Sequence, residues 1–221
     1  SQDSARRIVE VRAIAPFDSV DDLARRAELD QHDLKALASA NALVALAGHR
    51  RQAKWEVAAL RPMPALLRDA PMREAPVLLP AASEGNEIVA DYQSTGLTLN
   101  RHPLALLRPR LKLMKLSTAL ELKGFSNGRL VRSTGLVTMR QRPETAKGTM
   151  FITLEDETGV INVIVWTDVQ QRQRKEVLQA SLMTVYGVWQ CAGEVRHLVA
   201  RKVIDDSALL GNLAIASRNF H

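Results

Sequence analysis

Apolar residues recur every three or four positions over residues 3–60 and at every second position over much of 128–206. The first spacing puts one face of a helix on a core, and the second puts one face of a strand there. Ala5, Ile8, Val9 and Ala13 predict a helix, which Pro16 and Phe17 interrupt. Ser19, three residues before Asp22, resembles a capping box with Asp in place of Glu and opens a helix over 23–27. Asp30 repeats the device ahead of Leu34, Leu37 and Ala38, and Asn41 supplies a stop. Leu43, Val44 and Leu46 lead to Gly48, after which 49–60 predicts a basic-then-apolar helix containing Trp55. Residues 1–60 are therefore expected to form a compact module of short helices paired as hairpins.

Five of the nine prolines, Pro62, Pro64, Pro71, Pro76 and Pro80, fall within 61–86. Proline at that density forbids a continuous helix or central strand, so an extended linker is expected. Helical spacing returns over 87–123, in segments 87–92, 104–108 and 111–122, with His102 and Pro103 breaking the path. Within 124–206 the alternation predicts strands at 129–140, 150–154 and 160–166, a polar helix at 168–180, and strands at 182–191 and 194–204. Three strands, a helix and two strands is the order of the OB-fold, a five-stranded Greek-key barrel used for oligonucleotides. A small split β-sandwich is the other arrangement, and the helix between the third and fourth strands favours the barrel. Residues 207–221 are left as a tail. The expected class is α+β and multidomain: helical module, proline-rich linker, helical connector and OB barrel.

Alternation also sorts the strand faces. With Val131, Val137 and Met139 inside the barrel, Arg132, Thr134, Leu136, Thr138 and Arg140 point outward. With Ile152 and Leu154 inside, Phe151 and Thr153 are outside; Ile161, Val163 and Val165 suit the core, leaving Asn162, Ile164 and Trp166 outward. One outer face would then carry two arginines, a phenylalanine and a tryptophan. Single-strand binders use that pairing, in which cations track phosphates while rings stack on bases. The 140–148 loop adds Arg142 and Lys147 where this fold clamps its ligand. The candidate nucleic-acid contacts are Arg132, Arg140, Arg142, Lys147, Phe151 and Trp166. Both rings equally suit a seat against a neighbouring helix or domain, and Tyr186 and Trp189 on the fourth strand read as core.

Charge sharpens this picture. The chain has 221 residues and a net charge of +6. The excess is local: 101–147 holds Arg101, Arg108, Arg110, Lys112, Lys115, Lys123, Arg129, Arg132, Arg140, Arg142 and Lys147 against only Glu121 and Glu144. Such a block favours contact with a polyanion over a merely solvated face. Catalytic classes fare badly. The five histidines lack metal-ligand spacing, and no Gly-Lys-Ser/Thr follows Gly124 or Gly128 to make a phosphate loop. Glu155, Asp156 and Glu157 precede Thr158-Gly159 and read as an Asx-type turn with solvated charges, not a metal site. The lone Cys191 excludes an internal disulfide and fits a reducing cytoplasm. No apolar run approaches the ~20 residues that cross a bilayer, so no membrane partner is expected. A first residue of Ser rather than Met suggests a piece of a longer protein.

Several runs resemble a known family. Ala5-Arg6-Arg7-Ile8, Arg12, Pro16-Phe17, Asp21-Asp22-Leu23, Arg26, Leu29, Leu37-Ala38 and Arg50-Arg51-Gln52-Ala53-Lys54-Trp55 are similar to the tandem helix-hairpin-helix region of bacterial C-family DNA polymerases. Ala90-Asp91-Tyr92, Gly96-Leu97, Leu99 and His102-Pro103-Leu104 resemble the connector of their error-prone, alpha-subunit-like branch. Gly135-x-Val137, Arg140, Lys147-Gly148, Phe151-x-Thr153-Leu154-Glu155-Asp156 and Thr158-Gly159 resemble its OB domain, and Ser217-Arg218-Asn219-Phe220-His221 its natural end. In order, these runs cover essentially the whole chain.

The resemblance implies the C-terminal part of an error-prone polymerase active in damage-induced mutagenesis and translesion synthesis in the bacterial cytoplasm. It implies single-stranded or template DNA as partner, mutasome proteins (an inactive Y-family-like polymerase and a RecA-like accessory protein), and indirectly the sliding clamp. Palm aspartates and magnesium are expected upstream, and no cofactor is expected in this segment. One departure stands out. Helix-hairpin-helix motifs use a Gly-x-Gly turn whose N–H groups meet phosphate, whereas the first glycine here is the unpaired Gly48 and Ala15-Pro16 occupy an earlier turn. A protein-docking module, and an RNA-binding barrel like the anticodon domains of some synthetases, are the competing functions.

Overall fold

The computed structural model describes residues 1–60, 77–98, 100–143 and 148–211, and the backbone of 218–220. Most of the proline-rich linker, with Met63, Leu66 and Leu67, lies outside the described residues. Two units divide the chain, Ser1–Thr95 and Gly96–His221. The stretch read as one connector is therefore shared between them, 87–95 going with the helices and 96–123 with the barrel.

The first unit holds α1 (Gln2–Ile14), α2 (Val20–Arg26), α3 (Gln31–Ser39), α4 (Val44–Ala47), α5 (Arg50–Ala59) and α6 (Glu84–Thr95). Its caps follow the sequence: the Ser19 side chain accepts from the Asp22 N–H and the Asp30 side chain from the Asp33 N–H. These bonds satisfy N–H groups that a helix start leaves without partners. Val20, Leu23, Ala27, Leu34, Ala38, Leu43, Ala53 and Val57 form the core. The turn after α1 has no glycine. Instead the Arg26 guanidinium donates to the carbonyls of Val11, Ala15 and Pro16 and lies 4.8 Å over the Phe17 ring. Arg50, only 3% exposed, ties α5 to Glu87 and Asp91 of α6. The Gln52 amide donates to the Val77 carbonyl and accepts from the Leu79 N–H, so 77–79 runs along α5 with Val77 and Leu78 exposed.

The second unit begins with α7 (Pro103–Leu113) and α8 (Ala119–Lys123). The strands are β1 (Leu130–Gln141), β2 (Met150–Asp156), β3 (Gly159–Val165), β4 (Leu182–Ala192), β5 (Val195–Asp205) and β6 (Arg218–Phe220). Between β3 and β4 lie α9 (Thr167–Arg172) and α10 (Arg174–Gln179), where a single helix was expected. They break at Gln173, whose side chain holds both the N–H and the carbonyl of Val203 in β5. Antiparallel pairing joins β1 to β2, β2 to β3, β1 to β4 and β4 to β5, and a short parallel pairing of β3 with β5 closes the ring. This is a five-stranded OB barrel, with β6 added in parallel beside residues 139–141 of β1. Ile152, Leu154, Ile161, Val163, Val165, Val185, Trp189 and Leu198 fill it, while Leu122 of α8 and Val169 and Val177 of α9 and α10 join the same core.

The acidic triplet forms the expected turn, but only Glu155 keeps the expected solvent exposure; the charges of Asp156 and Glu157 are not solvated. Asp156 is buried and accepts at one oxygen from the Thr158 N–H and hydroxyl and from the Gly159 N–H. Its other oxygen accepts from Ala119 N–H at 2.7 Å, at the start of α8. Arg108 of α7 is paired with both oxygens of Glu157. Burial alone would raise the Glu157 carboxyl, but the hydrogen bonds and charge of Arg108 outweigh it and hold the group below its ordinary value of 4.5. A carboxyl lowered on folding stabilises fully above its unfolded value and loses that contribution as pH falls through the folded one. The barrel's melting temperature is therefore expected to fall as pH drops below about 4.5, and Glu157→Gln should flatten that acid limb in melts followed by circular dichroism.

Candidate nucleic-acid interface

The outward wall of β2 and β3 is built by strict alternation. Met150, Ile152, Leu154 and Asp156 are buried, and Phe151, Thr153 and Glu155 are half-buried on the other face. On β3, Ile161, Val163 and Val165 go inward, leaving Val160, Asn162 and Ile164 outside. Cross-strand register sets Gln141, Phe151 and Ile164 in one row, with Met139, Thr153 and Asn162 in the next. Trp166, 51% exposed, stands at the N-cap of α9 just past the end of β3. The start of α9 also fixes the far end of the β1–β2 loop. The Gln170 amide donates to the Gly148 carbonyl at 2.8 Å and to the Val165 carbonyl at 3.0 Å.

The expected site residues do not all share this wall. Phe151 and Trp166 belong to it, and Arg142 is exposed at the start of its loop, where its guanidinium approaches Gly148. Lys147 lies outside the described residues. Arg132 sits on β1 opposite Tyr186 of β4, on the wall formed by β1, β4 and β5. Arg140 is a correction: expected outward, it is 6% exposed and donates to the carbonyls of Val177 and Ala180 at the end of α10. The cause is a β-bulge. Val137 pairs with Leu154 and Met139 with Thr153, so Thr138 is an extra residue and every later side chain changes face. Met139 thus moves outward and Arg140 pairs with inward Ile152. Burial lowers the Arg140 pKa from its ordinary value while Asp205 works against that shift; the guanidinium remains a cation.

The basic block is therefore not one track. Arg108 and Arg140 are consumed internally, and the Arg129 guanidinium covers the Phe125 ring at 3.8 Å. On the β2–β3 wall the polarity runs from Arg142 at the loop end to Glu155 at the other, where Glu155 lies 3.9 Å from His102. An anionic ligand fits the loop end. Tyr186 is a second correction: expected in the core, it is partly exposed between buried Val185 and Gly187. Strict alternation located Phe151 and Trp166, while the bulge at Thr138 hid the true positions of Met139 and Arg140. Among the described residues no three His, Cys, Asp or Glu side chains are grouped to hold a metal, so the donors present do not fit a magnesium pair.

A closed barrel with an aromatic outer wall, preceded in the chain by helical hairpins, defines a nucleic-acid-binding class of protein. The models of two such families match: the helix-hairpin-helix motif over residues 1–53 and the OB-fold nucleic acid binding domain over 131–205. The chain is 58% identical over 221 residues to an error-prone DNA polymerase of Ralstonia nicotianae, covering 99% of this chain and 21% of that protein. It is 53% identical to one of Burkholderia pseudomallei, covering 100% of this chain and 21% of that protein. Over its whole length the chain is homologous to one segment of curated error-prone DNA polymerases, and it spans about a fifth of the length of these relatives. Asparaginyl-tRNA synthetase of Pyrococcus horikoshii overlaps 41% of this chain, and 22% of its own, at 18% identity and a TM-score of 0.36, too slight a likeness to bear on function. No helix among the described residues is long and apolar enough to cross a membrane.

Proposed function

We propose that this chain is the part of an error-prone DNA polymerase that holds single-stranded template DNA, during damage-induced mutagenesis and translesion synthesis, for a polymerising core elsewhere in the parent protein. The observation that carries the reading is Phe151, half-buried on the β2–β3 wall, and Trp166, half-exposed just past the end of β3, beside the loop that bears Arg142. In this reading nucleotidyl transfer and its magnesium belong to residues outside the chain. Mutasome proteins of the kind the resemblance implied, including an inactive Y-family-like polymerase, and through them the clamp, would dock on surfaces other than this wall.

A stacked base contributes about 1–3 kcal/mol by alanine substitution. Phe151→Ala and Trp166→Ala are thus each expected to weaken binding of a fluorescein-labelled thymidylate hexamer by roughly tenfold in anisotropy titrations, with the melting temperature little changed. Unaltered affinity in the double variant would remove the β2–β3 wall as the contact.

A further inference from the structure

The β1–β4–β5 wall of the barrel, away from β2 and β3, carries its own combination of charge and ring. Register places Arg132 of β1 beside Tyr186 of β4, and Tyr186 beside Lys202 of β5. Neighbouring strands lie about 4.8 Å apart, so the two cations straddle the ring across about 10 Å. A bulge adds a third cation. Tyr186 pairs with Lys202 but Gly187 with Ala200, leaving Arg201 extra, and both Arg201 and Lys202 are exposed between buried Ala200 and Val203. Among the described residues, the side chains of Arg132, Tyr186, Arg201 and Lys202 make no ion pair or hydrogen bond. In the next row Leu130, 67% exposed, stands beside Val188, and Val188 beside Val199, an apolar floor next to the ring. Three other such side chains in the unit are spoken for: Arg108 by carboxylates, Arg140 by carbonyls and Phe125 by Arg129.

We propose that this wall is a second contact for single-stranded nucleic acid, in which Arg132, Arg201 and Lys202 meet phosphates and Tyr186 takes a base on its face. The proposal rests on the reading that the barrel engages a single strand, and it extends the path from one wall to two. Uncompensated cations select a polyanion. The partly exposed ring between them, held in register by two ladders, selects one that carries flat bases rather than an acidic polypeptide.

The test compares the thymidylate hexamer with a thirty-nucleotide oligothymidylate, both labelled, across a salt series. The hexamer is too short to span both walls and, on this proposal, takes the β2–β3 wall with its two rings, whereas the longer strand reaches both. Arg132→Ala with Lys202→Ala is expected to leave hexamer affinity within about twofold and to weaken the long strand about tenfold. For that strand the slope of log affinity against log salt should shrink by about 1.4, the loss of two phosphate contacts. Tyr186→Ala should weaken the long strand severalfold and Tyr186→Phe should not. These side chains point outward, so melting temperatures should stay close to that of the parent chain. An unchanged salt slope, or equal losses for the two oligonucleotides, overturns the proposal. So does binding of poly-L-glutamate that matches the long strand in affinity and in sensitivity to Tyr186→Ala. Loss of hexamer binding in Phe151→Ala/Trp166→Ala with no effect of Arg132→Ala/Lys202→Ala keeps the proposed function and discards the second wall. The reverse pattern, a hexamer that fails to bind and a long strand sensitive to Arg132→Ala/Lys202→Ala, discards the β2–β3 reading alone.

Discussion

Gly187→Ala is expected to destabilise the barrel by about 3 kcal/mol or more, an appreciable part of the ~5–15 kcal/mol that holds a domain folded. A Cβ at Gly187 would lie 2.1 Å from the Val199 carbonyl oxygen, 2.9 Å from its carbon and 3.0 Å from a Leu198 methyl. Two of those neighbours are backbone, so no rotamer change relieves the clash. The chain could yield only by parting β4 from β5, at the bulge that sets their register. Urea unfolding followed by circular dichroism should show the lower midpoint. Gly85→Ala is the control, because nothing lies within 4 Å of its built Cβ, and its effect should stay within about 0.5 kcal/mol. A Gly187→Ala midpoint equal to the parent's would contradict the pairing of β4 with β5 described above.

Arg140→Ala is expected to cost about 3 kcal/mol of stability and to leave the nucleic-acid affinity of the folded protein unchanged. The guanidinium donates to two carbonyls that close α10, Val177 and Ala180, within a site 6% exposed. Removing it leaves both acceptors buried without donors and takes a cation from a helix C-terminus, where positive charge is favourable. Arg140→Met keeps much of the aliphatic packing, so the loss that remains in it reports the hydrogen bonds. If affinity in the folded variants fell instead, with stability intact, Arg140 would regain its place among the ligand contacts.

Arg140 also shows what a sequence can and cannot reveal about such a site. Helix starts were legible because Ser19 and Asp30 cap within three residues of themselves, and such local bonds leave a local signature. β2 and β3 were legible because each runs for seven residues without a bulge, so a period of two sorts every side chain. β1 carries an extra residue at Thr138, and nothing in Val137-Thr138-Met139 marks it. The same holds at Tyr186-Gly187, where the reason for the glycine is the Val199 carbonyl of another strand. Arg50 with Asp91, and Arg108 with Glu157, are partners 41 and 49 residues apart, and a charge count assigns all four to solvent. What escaped the sequence was therefore long-range: which cations are spent indoors, and which wall the rest occupy.

The parallel pairing that closes the ring is its shortest join. Only Val163 with Leu198 and Ile164 with Val199 are in register there, whereas the ladders joining β1 to β4 and β4 to β5 run for seven and ten residue pairs. Those two pairs also link segments that the helices α9 and α10 separate in the chain, so they have the least help from their neighbours. Fraying begins where the fewest bonds must part together. The barrel can therefore breathe like a cuff with a single button, opening between β3 and β5 while its longer ladders stay fastened. Ile164, at that button, shares a cross-strand row with Phe151, so transient opening there would reshape the wall on which the proposed single strand lies.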